Sequence, residues 1–120
     1  MIGNQYYVPF NLENMQRCIS VPFDFKGKEY YAIVRQYAID HKVYYKIRIM
    51  NHRLDSMLHK SNLNIIEECD GHLAIPNMDK WTLEGELSLS VIQELIMRLS
   101  NYDEHNQYDL ITEYGLLTPF

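Results

Sequence analysis

Glycine is scarce in this chain, with five residues in 120, all scattered. That excludes the Gly-rich loops that cradle a phosphate between a strand and a helix. Only two cysteines occur, Cys18 and Cys69. They lack Cys-x-x-Cys spacing, and each sits in a strand-like apolar context, so both are expected as reduced, partly buried thiols. No apolar run approaches the ~20 residues that a membrane-spanning helix requires. The stretch Met1-Ile2-Gly3-Asn4-Gln5 carries neither a basic nor an apolar leader region, and its glycine is not at position 2, which argues against myristoylation. The expected location is the cytoplasm. There is no internal repeat, low-complexity tract or Ser/Gly/Pro linker.

Charge of one sign is also scarce over half the chain. Residues 61–120 hold two basic side chains, Lys80 and Arg98, against eleven acidic ones. Residues 26–60 reverse this, with eight basic against three acidic. Such segregation suits either a nucleic-acid face or two halves that attract each other when packed. The net charge of −5 and the 47% apolar content are those of an ordinary globular chain.

What is present is strand alternation. Ile19, Val21, Phe23 and Phe25 alternate in a first strand, a second spans 29–39, and Val43, Tyr45, Ile47 and Ile49 alternate in a third. Two-residue loops would put these apolar sets on mismatched faces and oppose Arg35 to Lys46, a like-charge pair. Three-residue loops, Lys26-Gly27-Lys28 and Asp40-His41-Lys42, align them instead. The expected core face is then Ile19, Val21, Phe23, Phe25, Tyr31, Ile33, Tyr37, Ile39, Val43, Tyr45, Ile47 and Ile49. Arg35 falls on that face, to be paired with Glu68 or Glu94 or to snorkel out at the margin.

Asn11 offers a cap to a short helix at 12–17, and Asn51 to another ending at Lys60, with Leu54, Met57 and Leu58 on one side. A fourth strand is expected from Asn62 to Cys69 and a fifth from His72, joined by Asp70-Gly71, the strongest hairpin turn in the chain. Residues 77–87 read as a loop anchored by Trp81. The main helix is expected from Ser90 to Asp103, with Ser90 and Gln93 as a capping box and Leu89, Ile92, Leu95, Ile96, Leu99 and Tyr102 as its buried stripe. The segment 106–120 is too apolar to be free and should dock on this domain or on a partner. The fold class is therefore α+β: an antiparallel meander of about five strands with a long C-terminal helix on one face and one or two short helices, in a single domain over 1–120.

Chemistry-bearing residues do not assemble in the sequence. His52 and His59 are seven residues apart, about 10 Å along a helix, too far for one metal ion, and Asp55 with His59 supplies only two ligands. Glu67 and Glu68 are adjacent in a strand and point to opposite faces, while Asp70 is explained by its turn. No serine occupies a Gly-x-Ser-x-Gly elbow, and neither cysteine is assigned a histidine partner. An enzyme would need a cleft gathering His41, His72 or His105 with a carboxylate. No catalytic residue, metal site or cofactor is assigned.

The expected binding surface is the sheet face opposite the core, built from Tyr30, Val34, Tyr44, Lys46, Arg48 and Met50. Tyr, Met and Arg are types enriched at protein interfaces. The sequence thus points to a small non-catalytic binding module working through protein–protein contact, as a homodimer or as an inhibitor- or immunity-type protein. In the inhibitor version, the acidic 67–70 hairpin and Glu94 would meet a basic partner. A nucleic-acid binder using the basic aromatic segment 26–60 is the second choice, because few aromatics remain on the outer face.

Overall fold

The computed structural model describes residues 10, 13–75, 79 and 81–100, together with the backbone of residues 101–102, 109–112 and 115–118. The fold is α+β, built on an antiparallel meander of five strands: β1 (Met15–Phe25), β2 (Lys28–Ile39), β3 (Lys42–Ile49), β4 (Ile65–Cys69) and β5 (His72–Ile75). A short helix, α1 (His52–Lys60), joins β3 to β4, and the long helix α2 (Leu83–Tyr102) follows β5. Strand β6 (Asp109–Thr112) returns parallel to β5, and β7 (Gly115–Thr118) pairs antiparallel with β6. The sheet order is β1 to β7 in sequence order, so the C-terminal segment adds two strands to the edge of the chain's own meander. No helix among the described residues is long and apolar enough to cross a membrane.

The turns decide the register. Phe25 pairs with Lys28 and Ile39 with Lys42, so both hairpins close with two-residue loops, not three. Both loop residues have positive φ in each case: Lys26 52° and Gly27 78°, Asp40 51° and His41 67°. This is the type I′ geometry that matches strand twist, and the β4–β5 turn repeats it at Asp70 and Gly71. The expected faces of β2 are therefore inverted. Ala32 and Val34 are buried in the core, whereas Tyr31 is exposed, Ile33 half-buried and Arg35 exposed on the other side. The like-charge pair Arg35–Lys46 does form. In water it costs on the order of 1 kcal/mol, far less than placing Arg35 unpaired on the core face.

One face of the sheet carries the core. Ile19, Val21, Phe23 and Phe25 of β1, Ala32 and Val34 of β2, and Tyr45, Ile47 and Ile49 of β3 pack with Leu87, Val91, Ile92, Leu95, Ile96 and Leu99 of α2. From α1, Leu54 and Leu58 join the same core. Asn51 caps α1 as expected, its Oδ1 accepting from Leu54 N at 3.1 Å. The Tyr45 hydroxyl, at the core margin, donates to Glu68 Oε1 and accepts from Gln36 Nε2. Glu68 is thus not a partner for Arg35.

Other expectations are corrected. Residues 15–17 belong to β1, not to a helix at 12–17, because the twelve-residue β2 draws Met15 and Arg17 into its ladder through a register shift; Asn11 and residue 12 lie outside the described residues. Helix α2 begins at Leu83, so Ser90 lies inside it. Its cap is Thr82, whose Oγ1 accepts from Gly85 N at 3.0 Å. Trp81 does not anchor its segment by burial, being 84% exposed. Cys18 and Cys69 are free and exposed, not partly buried. Residues 76–78 and 80, His105 and the side chains of Tyr102 and the 109–120 segment lie outside the described residues.

Candidate binding face

The six residues expected to form one surface lie on two sides of the sheet. Val34 is in the core, and Tyr30 is half-buried on the core side, stacked on Phe23 at 5.8 Å. Tyr44, Lys46, Arg48 and Met50 belong to the outer face. The inversion of β2 replaces the two lost members with Tyr31, Ile33 and Arg35. Cross-strand pairing builds the face in rows, since directly opposed residues share a side. Pro22 pairs with Tyr31, and Met50 N donates to the Tyr31 carbonyl at 2.8 Å. Ser20, Ile33 and Arg48 make the next row, and Cys18, Arg35, Lys46 and Ile65 the one after. Tyr37, Tyr44 and Glu67 follow.

Two of these tyrosines are already in use. Phe10 meets Tyr37 edge-on at 4.8 Å and Tyr44 at 6.0 Å, and Lys46 Nζ lies 5.4 Å from the Phe10 ring centroid. Tyr37 is consequently buried although it faces away from the core. Tyr31 and Met50 remain open, 52% and 56% exposed, beside Arg35, Lys46 and Arg48. The face therefore presents a small apolar centre bordered by three cations. Glu67, the carboxylate of the neighbouring row, is held by Lys42 at 3.4 Å. That contact raises the Lys42 pKa through the hydrogen bond and charge of Glu67.

Beside this face, β3 and α1 enclose a groove of about 310 Å³ lined by Lys46, Arg48, Asp55, Ser56, His59 and Lys60. Asp55, one of these lining residues, reaches back to β3: Oδ1 accepts from Ile49 N at 2.8 Å and Oδ2 from Arg48 Nε at 3.1 Å. His59 Nδ1 lies 3.2 Å from Asn64 Nδ2. Sequence reasoning saw His52, Asp55 and His59 as a solvated helix face and missed the groove, because its other wall is contributed by β3. The available signal was the short β3–α1 connection, which forces the helix's first turns back onto Arg48.

A second hollow, of about 220 Å³, lies near Pro22, Phe23, Asp24, Glu29 and Glu94. Its three carboxylates are not joined there by a histidine. Cys69 and His72 directly face each other across the Asp70-Gly71 turn, a juxtaposition that the turn type alone could have supplied. Among the described residues, no three metal-capable side chains converge. His41 sits in the β2–β3 turn and His72 at the start of β5. Compared with protein-family models, with curated proteins and with solved structures, the chain finds no match.

Proposed function

We propose that this protein is a non-catalytic binding module whose outer sheet face docks a protein partner with an acidic surface. The observation that carries this reading is the composition of the open face: Tyr31, Ile33 and Met50 interleaved with Arg35, Lys46 and Arg48. Tyr, Met and Arg are the enriched types of interface centres. Arg35 and Lys46 directly oppose each other, and their repulsion would be relieved by carboxylates on a partner. A two-fold contact between copies of this face is disfavoured, since it would bring the same three cations together. The capping of Tyr37 and Tyr44 by Phe10 leaves Tyr31 as the exposed ring on these rows, a poor stacking ladder for bases.

The test is capture from extract of the native host with wild-type bait and with Tyr31→Ala/Arg35→Glu bait, both changes lying on exposed side chains. Acidic proteins retained by the wild type and lost by the double variant support the reading. Retention of nuclease-sensitive nucleic acid that falls steeply with added salt would replace it with the nucleic-acid reading. Equal retention of the same proteins by both baits would refute the assignment of this face.

A further inference from the structure

The groove between β3 and α1 has a charge imbalance that its own residues do not resolve. Among the described residues, Lys46, Arg48 and Lys60 supply three cations to its walls, and Asp55 is the one carboxylate. Both Asp55 oxygens are engaged, one by Ile49 N and one by Arg48 Nε. This holds the Arg48 guanidinium at the wall by its Nε edge and leaves its terminal nitrogens without a carboxylate among the described residues. Neither Lys46 nor Lys60 pairs with a carboxylate among the described residues. The Phe10 ring below Lys46 attracts that ammonium without neutralising it. Ser56 adds a hydroxyl. The Asn64 amide nitrogen lies 3.2 Å from His59 Nδ1; in the tautomer in which that ring nitrogen accepts, the proton is on Nε2 and the imidazole is a further donor.

We propose that this groove is a binding site for a phosphate monoester. Donors converge from a strand and a helix, which suits a tetrahedral group with three terminal oxygens better than a planar carboxylate with two. A phosphomonoester carries a charge near −2 at neutral pH, matching three cations less one carboxylate. Arginine fixed on one edge presents the fork that binds phosphate oxygens bidentately. The volume of about 310 Å³ exceeds what a bare phosphate fills and is that of a small-ligand site. An organic remainder of modest size is therefore accommodated: a nucleoside, a sugar or a phosphorylated side chain. The site shares Lys46 and Arg48 with the outer face, but its ligand chemistry does not rest on the protein contact assigned there, and Lys60 belongs to the groove alone.

The experiment is titration of the intact chain with inorganic phosphate, adenosine 5′-monophosphate and O-phosphoserine, followed by calorimetry and by amide chemical shifts. Sulfate and acetate serve as control anions. The expected result is binding of at least one phosphomonoester more tightly than inorganic phosphate, with shifts confined to residues 46–48 and 55–60. Preference for the nucleotide or for phosphoserine then identifies the source of the group. Lys60→Gln and Lys46→Gln should each weaken binding about tenfold. Arg53→Gln, an equal charge change on the same helix outside the groove, should stay within twofold. Absence of groove shifts at millimolar phosphomonoester would overturn the proposal. So would equal binding of acetate, or identical losses in all three variants.

Discussion

Replacing Gly85 by alanine sets helix propensity against packing, and the structure says which wins. Gly85 lies in the first turn of α2, where alanine should gain about 1 kcal/mol from propensity alone. A Cβ built there would lie 1.8 Å from the Asp79 carbonyl oxygen and 2.7 Å from its carbon. Both obstacles are backbone, so the side chain cannot swing aside. Relief requires moving the 79–82 turn, which is tied by Thr82 Oγ1 to Asp79 O at 2.8 Å and by Thr82 N to the same oxygen at 3.1 Å. Losing two such bonds costs about 2 kcal/mol, and residual overpacking adds about 1 kcal/mol or more. The net expectation is a destabilisation of about 2 kcal/mol, or roughly 8 °C in Tm for a domain of this size. Urea unfolding followed by far-UV circular dichroism measures it, with Gln93→Ala on the exposed side of α2 as a neutral comparison. A Gly85→Ala protein as stable as the wild type, or more so, would refute the close approach of Asp79 to the helix.

Further outcomes test the register, the cap and one ion pair. His41→Gly should stabilise by about 0.5–1 kcal/mol in the same assay, because glycine is unstrained at φ 67° in the Asp40-His41 turn; a loss would restore a longer loop. Val34→Ala should cost about 2 kcal/mol and Ile33→Ala roughly half that, since Val34 is buried and Ile33 half-open; the reverse order would return β2 to the opposite facing. Asn51→Ala should cost about 1 kcal/mol through the lost cap on Leu54 N, read as faster amide exchange at the start of α1. Glu67 raises the pKa of Lys42 above its ordinary 10.5, so the pair's contribution is present below that pH and is lost as pH rises through the raised value. The stability difference between wild type and Glu67→Gln should therefore be flat near neutrality, small and salt-sensitive because both groups are exposed, and closed in strong alkali. A difference that survives loss of the lysine proton would place the role of Glu67 elsewhere.

The sequence by itself determined the α+β class, the five-strand meander and the Asn51 cap, because each rests on local chemistry. Alternation in β1 and β3 separates apolar from polar side chains cleanly, Asp70-Gly71 accepts positive φ at little cost, and Asn51 needs only the amide three residues on. Strand β2 carries apolar residues on both faces, Ala32 and Val34 against Tyr31 and Ile33, so its pattern is degenerate. Only the two turns flanking it resolved it, and both hold non-glycine residues at positive φ, Lys26 in one and Asp40 and His41 in the other. The start of α2 was masked in the same way. Gly85 resembles a loop residue until the Asp79 carbonyl packed against it explains why no side chain fits there.

The candidate surfaces follow the same division. Tyr44, Lys46, Arg48 and Met50 could be named from alternation alone. Arg35 and Tyr31 joined them only through the pairing of β2 with β3, and Val34 left them for the same reason. The groove of Lys46, Arg48, Ser56, His59 and Lys60 exists because Asp55 reaches back to Ile49 N and Arg48 across the β3–α1 junction. Side-chain identity is local, but convergence depends on which backbone elements are brought together. That is decided by turn geometry and by the burial of Leu54 and Leu58 in the shared core.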